Sequence, residues 1–509
     1  MASLYLNNSK SPGYDNIGPS LIKDVSVVIL DPLVHIFNLS LLNGCVPDKL
    51  KIAKVIPVFK KGDRSQPTNY RPISLLSIFD KLLEKLMFSR LISYLEGNNI
   101  LYNYQFGFRK NHSTSLALID VVDNIYENLD ASLTVVGIYL DLTKAFDTVN
   151  HDILLYKLQN YGIRGIAYQW FKSYLCSRQQ YTVINNVSSC LTNVPCGVPQ
   201  GSTLGPLLFL LYVNDICRVL PGENVKLFAD DTNLFISGVD VNVLNQKCNY
   251  CIETLNQWFI ANRLHMNVDK TNVMVFPKTK TNDICVKLSE IAIVKVQHCR
   301  YLGIFIDNTL TWSHHIDTIY SKLMKYVGIF YKIRSKLPLS ILRNIYFAFV
   351  YPHILYGIEI YANTSSTHFK KLITLNNKLL RILQNKPYKF PVKDLYLNFN
   401  TLAIPELHIQ QLLILTHKFL HHRYLLPNAF ANYFTVNSPI HSYNTRVREN
   451  LHLDSVSKNY GKRTVKYKAS TMWNQLPSSL KEFSSVKYFS NKLKKFLQTV
   501  EIDTSDSTF

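Results

Sequence analysis

From Val225 to Ile236 apolar positions alternate on both sides of a tight turn, Leu227 and Ala229 before it and Leu234 and Ile236 after it. That period predicts a β-hairpin with one buried face. Its tip carries Asp230 and Asp231 side by side. Thr134 to Leu140 is dense in β-branched residues, which suits a central strand, and it ends at Asp141. Shorter strands are expected at Ala53–Phe59, Tyr70–Leu75, Asn272–Phe276 and Arg300–Asp307. Helical spacing marks Ile22–Leu42, closed by Gly44, then Phe79–Leu95, Ser113–Asn128 and Val243–Leu264. The same spacing recurs at Trp312–Arg334, Leu339–Phe349, Phe369–Gln384, Leu407–Leu425 and Val486–Leu497. Strands and helices are mixed first and helices dominate later, so the fold class is α+β.

Composition narrows the partners more than the fold. The 509 residues are 47% hydrophobic, as in a globular protein with room for several structural units. Lys and Arg number 56 against 35 Asp and Glu, a net charge of +21. An excess of that size attracts polyanions, nucleic acid before an acidic membrane surface. The nine cysteines show no secreted-scaffold spacing, which places the chain in a reducing compartment. Cys248 and Cys251 form a lone CxxC inside a helical segment and read as ordinary helix residues, not zinc ligands. His314-His315 and His421-His422 read as surface pairs. No secretory signal pattern opens the chain. The longest apolar runs, Leu207–Val213 and Phe347–Leu355, are too short to cross a bilayer, so no membrane partner is expected.

The acids then acquire chemistry. Asp230-Asp231 alone fits a solvated turn as well as a cation site, because adjacent like charges favour water or a counter-ion. With Asp141 at a strand end, the three carboxylates make a minimum ligand set for two divalent ions completed by substrate phosphates. The basic turn Lys60-Lys61-Gly62-Asp63-Arg64, returning to a strand with Arg71, suits phosphate binding or simple solvation.

At this point the chain resembles a family. Asp141 with Ala145-Phe146-Asp147, Gly197-Val198-Pro199-Gln200-Gly201-Ser202, Phe228-Ala229-Asp230-Asp231 and Tyr301-Leu302-Gly303 follow the order of reverse transcriptase palm motifs. Tyr70-Arg71-Pro72-Ile73-Ser74-Leu75, Gln105-Phe106-Gly107-Phe108-Arg109 and Leu204-Gly205-Pro206-Leu207-Leu208-Phe209 resemble non-LTR (LINE-type) retrotransposon polymerases, particularly the Jockey-like group. The departure is a Phe opening the Phe-Ala-Asp-Asp box where many relatives have Tyr, which keeps the ring and loses a hydroxyl.

The resemblance implies a right-hand polymerase: a lead-in over 1–24, fingers over 25–130, a palm over 131–310 and a helical thumb over 311–385. A basic, mostly helical C-terminal region over 386–500 and a disordered tail over 501–509 complete it. It implies Asp141, Asp230 and Asp231 as catalytic, metal-binding acids for two Mg²⁺ ions, with Mn²⁺ as a substitute. Lys270 corresponds to a lysine that protonates the leaving pyrophosphate, or is a surface lysine. Lys61 and Arg71 correspond to triphosphate ligands. Gln200 and Gly201 line the nucleotide pocket, while Gly197 and the segment Tyr301, Leu302 and Gly303 face primer and template. Phe146, five positions beyond Asp141, matches the aromatic beneath the sugar, where a ring leaves no room for a 2′-hydroxyl.

The expected activity is RNA-directed DNA synthesis on an RNA template, with a DNA primer and dNTPs as partners. About twenty residues precede the fingers, too few for the endonuclease domain of such relatives, so target nicking is expected to come from elsewhere. The cation- and aromatic-rich stretches Ser442–Arg448 and Lys458–Lys468 suit RNA phosphates and stacked bases. Action in the nucleus, the cytoplasm or both is expected, and secretion is not. The alternative is an inactive element relic that binds nucleic acid without synthesis.

Overall fold

Ile52–Phe59 and Tyr70–Leu76 pair antiparallel with Val58 opposite Arg71, so the basic turn between them projects from the end of a sheet. The computed structural model describes residues 11–276, 284–438 and 448–499. Ser442–Val447 of the basic stretch and the tail from Glu501 therefore lie outside the described residues. The chain divides into two compact units. One is drawn from Met1–Phe108, Leu140–Thr232 and Tyr250–Thr271, the other from Arg109–Tyr139, Asn233–Asn249 and Asn272–Phe509.

In the first unit the sheet runs Tyr70–Leu76, Ile52–Phe59, Gln179–Ile184, Val187–Ser188, with Ile52 parallel to Gln179. The helix Ile78–Gly97 begins where the Ser77 hydroxyl accepts from the Phe79 N–H at 3.3 Å, a standard N-cap. The helix Gly205–Val213 is buried from Leu207 to Val213. An all-apolar helix has no face to offer water and becomes core.

Against that core lies a charged knot. Glu84 is fully buried, receives the Tyr174 hydroxyl, and accepts from the Thr203 N–H at 2.6 Å. Buried Arg178 lies 3.7 Å from buried Asp80. Burial pushes both carboxyls up, Asp80 further because Glu84 repels it. Removing one member of such a knot leaves the others charged and dry. Glu84→Ala is therefore expected to lower stability by about 3–5 kcal/mol, measured by urea unfolding; a loss below about 1 kcal/mol would show that the knot does not need it.

The expected helix Ile22–Leu42 is two helices, Pro19–Asp24 and Ser26–Asn43, the second ending at Gly44 with φ +62°. Among the described residues Ser26–Asn43 is long and apolar enough to cross a membrane by length and composition. That corrects the reading of Leu207–Val213 and Phe347–Leu355 as the relevant runs: Asp31, His35 and Asn38 interrupt this segment, so no unbroken run reveals it. It rests on the helix Gly165–Leu175, where Trp170 Nε1 donates to the Ser40 hydroxyl at 3.1 Å.

In the second unit Thr134–Leu140 is buried throughout and pairs antiparallel with Asn272–Phe276, Ile138 opposite Val273. The expected strand Arg300–Asp307 is instead a hairpin, His298–Tyr301 against Ile304–Asp307. Leu302 and Gly303 both take positive φ, which reverses the chain where apolar alternation alone predicts continuity. Asp307 then accepts from the Thr309, Thr311 and Trp312 N–H groups and leads into the helix Ser313–Ile333. His315 is buried and accepts from the Phe305 N–H at 3.4 Å, so it is not half of a surface pair. Nor is His422 idle: its ring bonds the Ser484 carbonyl. Cys248 and Cys251 are buried helix residues, as expected.

Carboxylates of the helix Thr114–Asp130 hold the C-terminal segment. Asp123 accepts from the Val465 and Lys466 N–H groups, capping the helix Val465–Gln475, and Asp130 accepts from those of Ser457, Lys458 and Gly461. Part of the basic stretch is thereby used internally, since Lys466 pairs with Asp454 at 2.5 Å and Lys468 is buried.

Candidate active site

The strands Asn224–Phe228 and Asp231–Gly238 flank a turn of Ala229 and Asp230. Ala229 has φ +56°, a left-handed conformation that L-residues avoid. Its peptide is held by Gln105, whose Oε1 accepts from the Ala229 N–H at 2.9 Å. Phe106 N donates to Leu227 O at 2.9 Å and Leu227 N to Tyr104 O at 3.0 Å. The Gln-Phe-Gly-Phe box thus runs beside the hairpin as an added parallel edge.

Loss of surrounding water pushes the Asp231 carboxyl up to about 6, with further push from Asp230 and Asp141. Asp230 is raised by the same burial and by Asp141, and Arg71 offsets part of this. Asp230 thus lies within electrostatic reach of Asp141 and Arg71, and Asp231 within reach of Asp230 and Asp141. Asp141 follows the strand Thr134–Leu140, and its backbone O accepts from the Asn267 N–H at 2.8 Å. That bond brings in the turn carrying Lys270, whose Nζ lies 3.2 Å from Asp141 Oδ2 while the side chain stays mostly exposed. Among the described residues no three His, Cys, Asp or Glu side chains converge on one metal position. Asp141 faces an ammonium there instead.

Phe146 lies five positions beyond Asp141 along the chain. Its ring stacks on Phe209 at 4.4 Å and meets Phe108 edge-on at 6.1 Å, and it keeps partial solvent access. The loop of Gln200 is laced to this segment: Val198 N donates to Phe146 O at 2.9 Å and Gly197 N to Val149 O at 2.7 Å. Gln200 Nε2 donates to Asp147 Oδ1 at 2.8 Å. Gly201 has φ +120°, and a Cβ there would lie 2.6 Å from Ser74 O, so no side chain fits. Arg71 and Lys61 are exposed on the basic hairpin.

The first unit therefore contains Asp141, Asp230, Asp231, Lys270, Lys61, Arg71, Phe146, Gly197, Gln200 and Gly201, whereas Tyr301, Leu302 and Gly303 belong to the second. Sequence reasoning assigned no role to Gln105, Asp147 or Glu84. Gln105 and Asp147 stood inside quoted boxes, but only folding shows which neighbours their polar atoms meet. Glu84 gave no signal beyond being an acid on an amphipathic helix.

Residues 58–306 match the reverse transcriptase (RNA-dependent DNA polymerase) family. Over 435 residues the chain is 29% identical to the RNA-directed DNA polymerase from mobile element jockey of Drosophila melanogaster, covering 83% of this chain and 47% of the relative. Its counterpart in Drosophila funebris is 27% identical over 77% of this chain and 44% of the relative. A Pol polyprotein from the type-1 retrotransposable element R1 of Bradysia coprophila is 27% identical over 64% of this chain and 33% of the relative. The chain spans under half the length of these relatives. Residues 58–306 thus carry a reverse transcriptase domain, and over most of its length the chain is similar to RNA-directed DNA polymerases of non-LTR retrotransposons.

Proposed function

We propose that this chain is an RNA-directed DNA polymerase of a non-LTR retrotransposon, adding deoxynucleotides to a primer 3′-hydroxyl on an RNA template. The observation that carries the reading is the burial of Asp231 beside the charges of Asp230 and Asp141, which raises its carboxyl to about 6 and makes a cation the natural counter-charge. The donor set is all carboxylate oxygen, which fits Mg²⁺ and also Mn²⁺. Asp141 and Asp230 would hold the ions, with Asp231 alongside. When bound, two such ions lower the pKa of the primer hydroxyl and neutralise the leaving pyrophosphate.

The remaining roles belong to the chain itself. Arg71 and Lys61 draw the triphosphate toward the acids. Phe146, braced by Phe209, closes the space beneath the sugar. Gln200, Gly201 and Gly197 floor the pocket. Lys270, near Asp141, can give its proton to the pyrophosphate. Tyr301, Leu302 and Gly303 sit on a hairpin suited to primer contact. In this reading the fingers cover 25–130, the palm 131–310, the thumb 311–385 and a basic region 386–500.

A primer-extension assay with an RNA template, Mg²⁺ and either dNTPs or rNTPs tests it. Extension with dNTPs is expected. Extension with rNTPs alone, or none from a folded, RNA-binding protein, overturns it and in the second case favours the inactive relic.

Proton and metal compete for Asp231. At limiting Mg²⁺ the rate should fall as pH drops through about 6, and saturating Mg²⁺ should move that midpoint lower. A midpoint independent of Mg²⁺ would separate this carboxyl from the metal.

A further inference from the structure

We infer that Gln105 is the positioning residue of the catalytic turn: its side-chain amide grips the Ala229 peptide and thereby aims Asp230. The inference rests on the polymerase reading above for its consequence, though not for its geometry. Gln105 is 2% exposed. Its Oε1 accepts two N–H donors, Gly107 at 2.8 Å and Ala229 at 2.9 Å. Because both are donors, that atom must be the oxygen, which turns Nε2 toward Ala229 O at 3.5 Å. One side chain thus addresses both polar atoms of Ala229.

That residue is the strained one. Ala229 has φ +56°, and a backbone in this region persists only where its surroundings hold it. The neighbouring chain leaves no slack, since a Cβ on Gly107 would lie 2.3 Å from Ala229 N. The close approach of Gly107 and the two-sided grip of Gln105 are separate features converging on one peptide. Asp230 is the next residue, so a change in ψ at Ala229 swings its carboxylate directly. A metal-binding acid on a relaxed turn would need more metal to be drawn into place.

The test uses the full chain as wild type, Gln105→Met, Gln105→Glu and Gly107→Ala. Hydrogen exchange of peptides spanning 225–233 reads the grip without catalysis. In Gln105→Met, which fills the volume without an acceptor, and in Gly107→Ala, exchange should quicken about tenfold, while Gln105→Glu keeps the acceptor and the protection. In primer extension Gln105→Met should raise the Mg²⁺ concentration for half-maximal rate about tenfold, with template affinity within about twofold of wild type. Unchanged exchange in Gln105→Met overturns the grip. Faster exchange with unchanged Mg²⁺ dependence overturns its role in aiming Asp230. Should the wild type itself fail to extend, the polymerase reading falls with the aiming role, and the exchange data still decide the grip.

Discussion

Asp230→Asn should abolish primer extension, by at least about a thousandfold, while template affinity stays within about threefold of wild type. The substitution keeps the shape of the side chain and removes one negative charge from the cluster. Asp230 is one of the charges that hold the Asp231 carboxyl up, so its removal lets Asp231 ionise more readily. Thermal stability should therefore hold or rise at neutral pH, because a like-charge repulsion disappears. This combination separates lost chemistry from lost folding. The measurements are extension rate, filter binding of the RNA template and a melting curve. A variant that extends at a tenth of the wild-type rate or better would remove Asp230 from the metal site.

Phe146→Val should open the pocket to ribonucleotides, lowering discrimination between dNTP and rNTP by about a hundredfold, read as the ratio of kcat/KM for the two sugars. The ring is large, partly exposed and held flat against buried Phe209, so it cannot swing aside for a 2′-hydroxyl without leaving its stack. Valine removes the ring and keeps an apolar surface. Because the ring is only partly buried, the stability cost should be modest, about 1–2 kcal/mol. Phe146→Tyr, which preserves the stack, should keep the wild-type preference. Unchanged sugar selectivity in the valine variant would make Phe146 a packing residue only.

These two predictions were already within reach of the sequence, and the reason is chemical. A hard cation such as Mg²⁺ prefers oxygen ligands, and the alternation around Val225–Ile236 and the β-branched run before Asp141 place carboxylates at strand ends through local periodicity. Phe146 was legible because its spacing from Asp141 matches that of an aromatic in the family the sequence resembles. Other regular elements were equally legible: Asn272–Phe276 occurs as expected, and Phe79–Leu95 appears as Ile78–Gly97. Failures came where local signals were overruled. Arg300–Asp307 looks continuous by pattern, yet positive φ at Leu302 and Gly303 folds it back. Ser26–Asn43 hides its apolar character behind single polar residues. The Lys458–Lys468 stretch promised a binding face by composition, but Asp123, Asp130 and Asp454 engage parts of it.

By itself, then, the sequence determined the residue types on which the proposed chemistry rests: three aspartates, an aromatic ring five positions beyond the first of them and an excess of basic side chains. Those properties depend on residue type and short-range spacing. Tertiary structure alone decided how the acids are held. Gln105 reaches Ala229 across 124 positions, Lys270 reaches Asp141 across 129, and Glu84 braces Thr203 across 119. A hydrogen bond is formed by distance and direction in space, and no pattern of neighbours along the chain encodes which amide a buried side chain will meet. The Asp230-Asp231 turn could be read as a metal site from its company in the sequence, but the strained peptide that aims it, and the glutamine that holds that peptide, exist only in the fold.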